Sequence, residues 1–251
     1  LIYQVILVYK LLKMFRKKNF FNEIRKALKG KKIPRIDLHN HTTWIDGKDT
    51  VVEMYKQSIK KNIKYFLFSE HSRKQSGDWF NAFEKEIRNL PKSSCQPLVG
   101  TEVKVLDFKG NIDISNKIRN KCDLVMVSVH RFPGEKGNIR ENKINLKEKE
   151  IIDIEYELSR SAIINSDFDI LGHPFGMSLK RFKIKPPLKF FESLMNYCKR
   201  YNKAFEINYN YHKFPKDILK AYIKKNVLVS LGSNSHQKSE IGKVLNEKYW
   251  S

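Results

Sequence analysis

The stretch Ile36-Asp37-Leu38-His39-Asn40-His41-Thr42-Thr43-Trp44-Ile45-Asp46 decides how this chain is read. It opens as a short apolar run carrying a His-x-His pair. On extended backbone successive side chains point to opposite faces, so Asp37, His39 and His41 share one face. Two imidazoles converging at a strand end can hold a metal ion. A single His-x-His is a weak signal. Its weight here comes from the other histidines. The chain has seven, His39, His41, His71, His130, His173, His212 and His236, and six of them sit at or just past the end of a strand-like apolar run.

Outward from that stretch a rhythm appears. Strand-like runs cover Ile36–Thr42, Tyr65–Ser69, Leu98–Val105, Leu124–Val129, Phe168–Gly172, Ala204–Tyr209 and Val227–Gly232. Between them lie helix-like segments: Thr50–Asn62, with Asp49 or Thr50 as cap, then Asp78–Leu90, Leu146–Ile164, Leu188–Tyr201 and Pro215–Asn226. Ile241–Trp250 closes the chain as a further helix-like segment. Strands alternating with helices make βα units and a mostly parallel sheet. Seven such units, with polar residues at nearly every strand's carboxyl end, imply a closed or nearly closed α/β barrel. In such barrels the chemistry sits at the strand C-termini.

Reading only the strand ends collects a ring of donors. The first supplies Asp37, His39 and His41, with Asp46 in the loop beyond; the second ends Ser69-Glu70-His71. The third carries Glu102, the fourth ends at His130-Arg131 and the fifth at His173. The sixth carries Glu206 and Asn208, and the seventh ends Gly232-Ser233-Asn234-Ser235-His236. Imidazoles mixed with carboxylates suit zinc, manganese or iron; magnesium and calcium prefer all-oxygen shells. So many donors oversupply one ion and fit two or three bridged by a carboxylate. Such a cluster suits hydrolysis of a phosphate ester.

These residues resemble the motifs of the PHP (polymerase and histidinol phosphatase) family. Asp37-Leu-His-Asn-His-Thr42 is similar to its first motif, Phe68-Ser-Glu-His71 to its second and Gly100-Thr-Glu102 to its third. His130, His173 and Gly232-Ser-Asn-Ser-His236 follow in the family's order. The resemblance runs from about Arg35 to Val244. It implies a distorted (β/α)7 TIM-like barrel and a trinuclear site of divalent ions, zinc, manganese or iron. By carry-over, His39, His41, Glu102 and the Asn234 position hold one ion. Glu102 bridges to a second, held by His130 and His173, while His71, His236 and Asp46 hold a third. Two positions depart from the pattern: Asn234 stands where an aspartate is usual, and Glu70 replaces the usual aspartate beside the second-motif histidine. The implied activity is hydrolysis of a small phosphate monoester, such as histidinol phosphate or a nucleotide, by metal-activated water. The alternatives are a nuclease acting on nucleic-acid ends and a catalytically weakened scaffold.

Arg131, Glu102 and His236 are the candidate catalytic residues; Arg131, Arg73 and Lys74, each following a donor, are candidates to grip phosphate. Trp44 and Trp79 are candidate pocket walls, and Phe80 reads as core. Glu206 is assigned to a structural ion pair, and His212 to an ordinary structural role within reach of substrate.

Composition sets the remaining bounds. A chain of 251 residues with 41% hydrophobic content can bury one full core. Three separated cysteines, Cys95, Cys122 and Cys198, argue for a reducing, cytoplasmic compartment and against a disulfide frame or a zinc ribbon. The net charge of +22 attracts polyanions and permits nucleic-acid contact through the basic surface. Of 49 basic residues 38 are lysine, however, dispersed along the whole chain rather than gathered in one block. Residues 1–34 form an expected apolar and basic helical arm, and 35–251 the barrel. The arm's apolar run is too short for a membrane span. Phe20, Phe21, Ile24 and Leu28 recur at helical spacing among lysines, which suits packing on the domain or peripheral membrane contact through residues 1–28.

Overall fold

The computed structural model describes residue 17, residues 19–137 and residues 145–250. Seven strands run parallel in sequence order: β1 (Ile36–Asn40), β2 (Tyr65–His71), β3 (Gln96–Lys104), β4 (Leu124–Ser128), β5 (Ile170–Leu171), β6 (Ala204–Asn208) and β7 (Leu228–Gly232). The ends of the sheet meet where Asn40 bridges Ser235, through His41 N–H to the Ser235 carbonyl (2.8 Å) and Ser235 N–H to that of His39 (3.2 Å). The result is the nearly closed seven-stranded barrel expected from the alternation.

Helix α1 covers residues 19–29; α2 (Val51–Lys60), α3 (Gly77–Arg88), α4 (Asn116–Lys121), α5 (Glu148–Asn165), α6 (Leu188–Arg200) and α7 (Pro215–Lys225) surround the barrel. Each has a local cause. Thr50 and Glu53 form a full capping box on α2. Pro215 opens α7, and Asn226, left-handed at φ 56°, ends it. Phe80, Phe83 and Ile87 recur along α3 and are all buried. Cys95, Cys122 and Cys198 are buried in the core and are not joined in disulfides.

Two features departed from the sequence reading. The closing segment Ile241–Trp250 is not one helix. Gly242 is left-handed at φ 74°, which splits it into a 3-10 turn, Lys243–Leu245, and the short helix α8, Glu247–Trp250. A π-turn, Met177–Arg181, follows β5 where no element was expected. Of the two readings of the arm, packing on the domain holds for Phe21, Ile24 and Leu28, which are buried against the barrel and so are not available for peripheral membrane contact. Phe20 packs edge-on to Tyr65 at the start of β2, Arg25 donates to the Asn226 carbonyl ahead of β7, and Lys17 pairs with Asp169 ahead of β5 at 2.7 Å. Helix α1 thus covers the barrel end opposite the strand C-termini. Residues 1–16 and 18 of the expected arm lie outside the described residues. Among the described residues, no helix is long and apolar enough to cross a membrane.

Candidate metal centre

Glu102, in the carboxyl half of β3, is the hub. Its Oε1 lies 2.8 Å from His173 Nε2 and 3.1 Å from His130 Nε2. Its Oε2 lies 3.2 Å from His39 Nε2, 3.2 Å from His71 Nδ1 and 3.7 Å from His41 Nε2. Five imidazoles from the ends of β1, β2 and β4 and from the loop after β5 therefore converge on one buried carboxylate. Burial opposes its charge, yet His130, His39 and His173 hold its pKa well below the usual carboxylate range.

A second group forms at the mouth. Asp46 Oδ1 lies 3.9 Å from His41 Nδ1, and Asp46 Oδ2 lies 3.6 Å from His71 Nε2 and 3.4 Å from His236 Nε2. Asp46 reaches back over His41 because the chain turns tightly at Gly47. A Cβ there would stand 2.6 Å from the His41 carbonyl oxygen, so only glycine fits.

The donor set fits divalent ions. Donors bound to one ion at about 2.0–2.2 Å in tetrahedral arrangement lie about 3.4 Å apart, longer than a good hydrogen bond. The Asp46 contacts with His71 and His236 and the Glu102 contacts with His39 and His71 have that spacing. Among the described residues, three sets hold donor atoms mutually within 4.8 Å: His41, Asp46, His71 and His236; His39, His41 and Glu102; and His71, Glu102 and His130. Among the described residues, both ring nitrogens of His41, His39 Nε2 and Asn234 Oδ1 are buried and find no hydrogen-bond partner. Native interiors rarely leave such atoms unsatisfied.

Supporting carboxylates orient the ring. Glu206 Oε1 accepts from His39 Nδ1 (2.9 Å) and Asn208 Nδ2 (3.0 Å), and its Oε2 accepts from the His173 backbone N–H (2.6 Å). A carboxylate only accepts, so His39 carries its proton on Nδ1 and turns Nε2 toward Glu102. Glu206 thus positions a donor, a role beyond the ion pair read from sequence. A Cβ on Gly232 would come 2.1 Å from Glu206 Oε1 and 2.5 Å from His39 Cβ, so glycine is what permits this contact. Glu70 holds the His41–Thr42 turn through the Thr42 N–H and hydroxyl, and burial pushes its carboxyl up to about 8. His173 itself sits at φ 24°, strain at a non-glycine residue of the centre.

The ring opens into a cleft of about 830 Å³. Arg73, Arg131, His130, His173, Asn234 and His236 line it, with Lys104, Lys180 and Tyr211, which the sequence reading passed over. Several candidates fall outside. Asp37, on the same face as the histidines, spends its carboxylate on the Ser233 and Gly242 N–H groups, both at 2.9 Å. Lys74 is exposed and outside the cleft lining; its backbone N–H donates to Asp113. Trp44 and Trp79 stack on each other at 6.0 Å beside α3, with the Trp44 indole donating to Glu86, away from the cleft. His212 is fully buried: its Nδ1 accepts from Asn208 N–H and its Nε2–H donates to the Pro174 carbonyl. Its neighbour Tyr211 faces the cleft instead, stacked on His173 at 4.2 Å.

Comparisons with known proteins follow the geometry. The chain is 29% identical over 219 residues to a protein of Clostridium acetobutylicum named "Probable phosphatase", covering 82% of this chain and 81% of that one. A HisK protein of Listeria monocytogenes superposes with a TM-score of 0.66 at 17% identity, over 83% of this chain and 97% of that one. The histidinol phosphate phosphatase of Lactococcus lactis, solved with zinc, L-histidinol and phosphate, gives 0.58 at 15% identity, over 85% and 93%. The family model for the PHP domain matches residues 37–233, which span β1 to the end of β7 and nearly all of the donor ring. The chain therefore belongs to the PHP domain family.

Proposed function

We propose that the chain hydrolyses the phosphate monoester of a small molecule with the help of two or three divalent ions, zinc, manganese or iron. The observation that carries this reading is Glu102, a buried carboxylate ringed by five imidazoles at the mouth of a barrel. The phosphatase name of the Clostridium relative and the zinc, L-histidinol and phosphate of the Lactococcus protein support the same class. A cleft of about 830 Å³ suits a small ligand.

His39, His41 and Glu102 would hold one ion, with the Asn234 amide oxygen turned to the same cleft. Glu102, His130 and His173 would hold a second, and Asp46, His71 and His236 a third, with His41 close enough to share it. When bound, such ions lower the pKa of water and polarise phosphoryl oxygens. The chain's own side chains do the rest. Arg131 and Arg73, on the cleft wall, bind the non-bridging oxygens and offset their growing charge. Glu206 fixes the His39 tautomer, and Tyr211 covers the face of His173. Water's oxygen displaces the alcohol in line, leaving inorganic phosphate and the free alcohol.

The test is turnover of p-nitrophenyl phosphate and a panel of phosphorylated metabolites by protein loaded with manganese or zinc. Activity should vanish with chelator and return with metal. Absence of turnover across these metals and the whole panel overturns the proposal.

A further inference from the structure

Resting on the reading of His173 as a metal ligand, we propose that Glu155, on helix α5 outside the donor ring, is a positioning residue: it clamps the loop after β5 so that His173 is set in place before any ion binds. The loop needs such a constraint. His173 and Phe175 are both non-glycine residues in left-handed backbone, at φ 24° and 64°. His173 also precedes Pro174, and a residue before proline favours extended backbone instead. Conformations of this kind persist where the surroundings over-determine them, and they gather at functional sites.

Buried groups from other elements supply the constraint. Glu206 of β6 accepts from the His173 N–H at 2.6 Å. His212 donates from Nε2 to the Pro174 carbonyl at 3.0 Å, and its Nδ1 accepts from the Asn208 N–H at 3.1 Å. Glu155 takes the far end. One of its oxygens accepts from the Met177 N–H (2.9 Å), the other from the Ser178 N–H and the Ser178 hydroxyl (both 2.7 Å). These bonds hold the π-turn Met177–Arg181, a geometry frequent at functional sites. An apolar side chain would pack α5 on the turn without burying a charge; the carboxylate adds a fixed direction for two adjacent N–H groups. Between the clamped ends Phe175 is fully buried, its ring 4.7 Å from that of Phe191 on α6. The loop and the imidazole form one unit. Gly176 donates its N–H to the His173 carbonyl at 2.8 Å. Its backbone, at φ −60° and ψ −35°, suits any residue, yet a Cβ there would stand 2.5 Å from His173 Nδ1. One edge of the imidazole therefore rests on the loop backbone, while Nε2 on the other edge lies 2.8 Å from Glu102. Loosening the turn at Met177 and Ser178 frees the support on which this donor rests.

The experiment compares wild type, Glu155→Gln and Ser178→Ala, each as the metal-free full chain. Glutamine keeps one acceptor and turns an amide N–H toward the remaining donors; alanine removes the hydroxyl contact alone. Calorimetric titration with manganese should show affinity about 10- to 100-fold weaker in Glu155→Gln and a smaller loss in Ser178→Ala. Amide hydrogen exchange of the metal-free proteins should quicken in the same order over residues 173–181, with β1 to β4 protected as in the wild type, and saturating manganese should restore protection. In a His173→Ala background Glu155→Gln should no longer alter affinity, because the group it positions is gone. Wild-type manganese affinity in the variants, exchange raised equally over the whole barrel, or an undiminished effect without His173 overturns the proposal. If Glu155→Gln does not fold, Ser178→Ala decides by the same readings. These readings need no turnover, so failed hydrolysis sinks the phosphoesterase reading alone; a wild type that binds no manganese sinks the metal centre and this proposal with it, whereas a binding wild type with unmoved variants sinks the clamp alone.

Discussion

Replacing Glu206 by glutamine tests whether the carboxylates behind the donor ring govern metal binding. Glu206 is fully buried and serves two sides: one oxygen accepts from His39 Nδ1 and Asn208, the other from the His173 N–H. Glutamine keeps the shape and loses one acceptor. If its amide faces the His173 N–H, two donors oppose each other in a dry interior. If it faces His39, the imidazole must accept at Nδ1 and carry its proton on Nε2, the nitrogen aimed at Glu102. The first arrangement costs about 1–3 kcal/mol of stability, the usual penalty for a buried unpaired donor. The second blocks a donor, and loss of such a supporting partner lowers metal affinity about 10- to 100-fold, or about 1.4–2.8 kcal/mol. Calorimetric titration of manganese into the metal-free variant should show this loss. Activity should recover as manganese is raised, because the catalytic groups are intact. Wild-type manganese affinity, with an unchanged metal dependence of turnover, would refute the reasoning.

Gly232→Ala inserts a methyl where Glu206 and His39 approach most closely; it should cost about 1–3 kcal/mol in urea unfolding and weaken manganese binding together with it. Asn234→Asp places a negative oxygen where a buried amide oxygen finds no partner among the described residues, so metal affinity should rise about tenfold or more; an unchanged titration would mean that this side chain does not face an ion. Burial pushes the Glu155 carboxyl up from 4.5 to about 7, against the bonds from Ser178 and Met177. A folded pKa above the unfolded one means the folded state holds the extra proton. Stability from this group is therefore present below pH 4.5 and lost as pH rises through 7, by about 3 kcal/mol. Urea unfolding of the chelated protein at pH 5 and pH 8 should show that loss in the wild type and not in Glu155→Gln; parallel pH slopes would contradict it.

The barrel and most of the ring were legible in the one-dimensional order. Period-two apolar runs and periodic helices are local patterns, so the βα alternation could be read without knowing what packs on what. In a parallel barrel every strand end faces the same way, so His39, His71, Glu102 and His130 had to converge once the strands were placed. The Asp37-Leu-His-Asn-His-Thr42 resemblance marked the same residues, and the match to the PHP domain over residues 37–233 agrees with it. What the sequence left open depended on partners distant along the chain. Asp37 shares a face with two donors yet bonds to Ser233 and Gly242, about two hundred positions away. Glu206 looked like any buried carboxylate until His39 was found 167 residues away along the chain at its oxygen. The apolar stripe of Phe21, Ile24 and Leu28 would suit a membrane or a barrel floor equally, and only packing chose the floor. Lys180 and Tyr211 lie in irregular segments with no periodicity to mark them, and it took Glu155 from another helix to set the turn that brings them together. Sequence periodicity therefore placed the donors, because strand direction is a local property; tertiary contacts alone decided their orientation and the charge of the surrounding wall, because both depend on which remote groups share one buried volume.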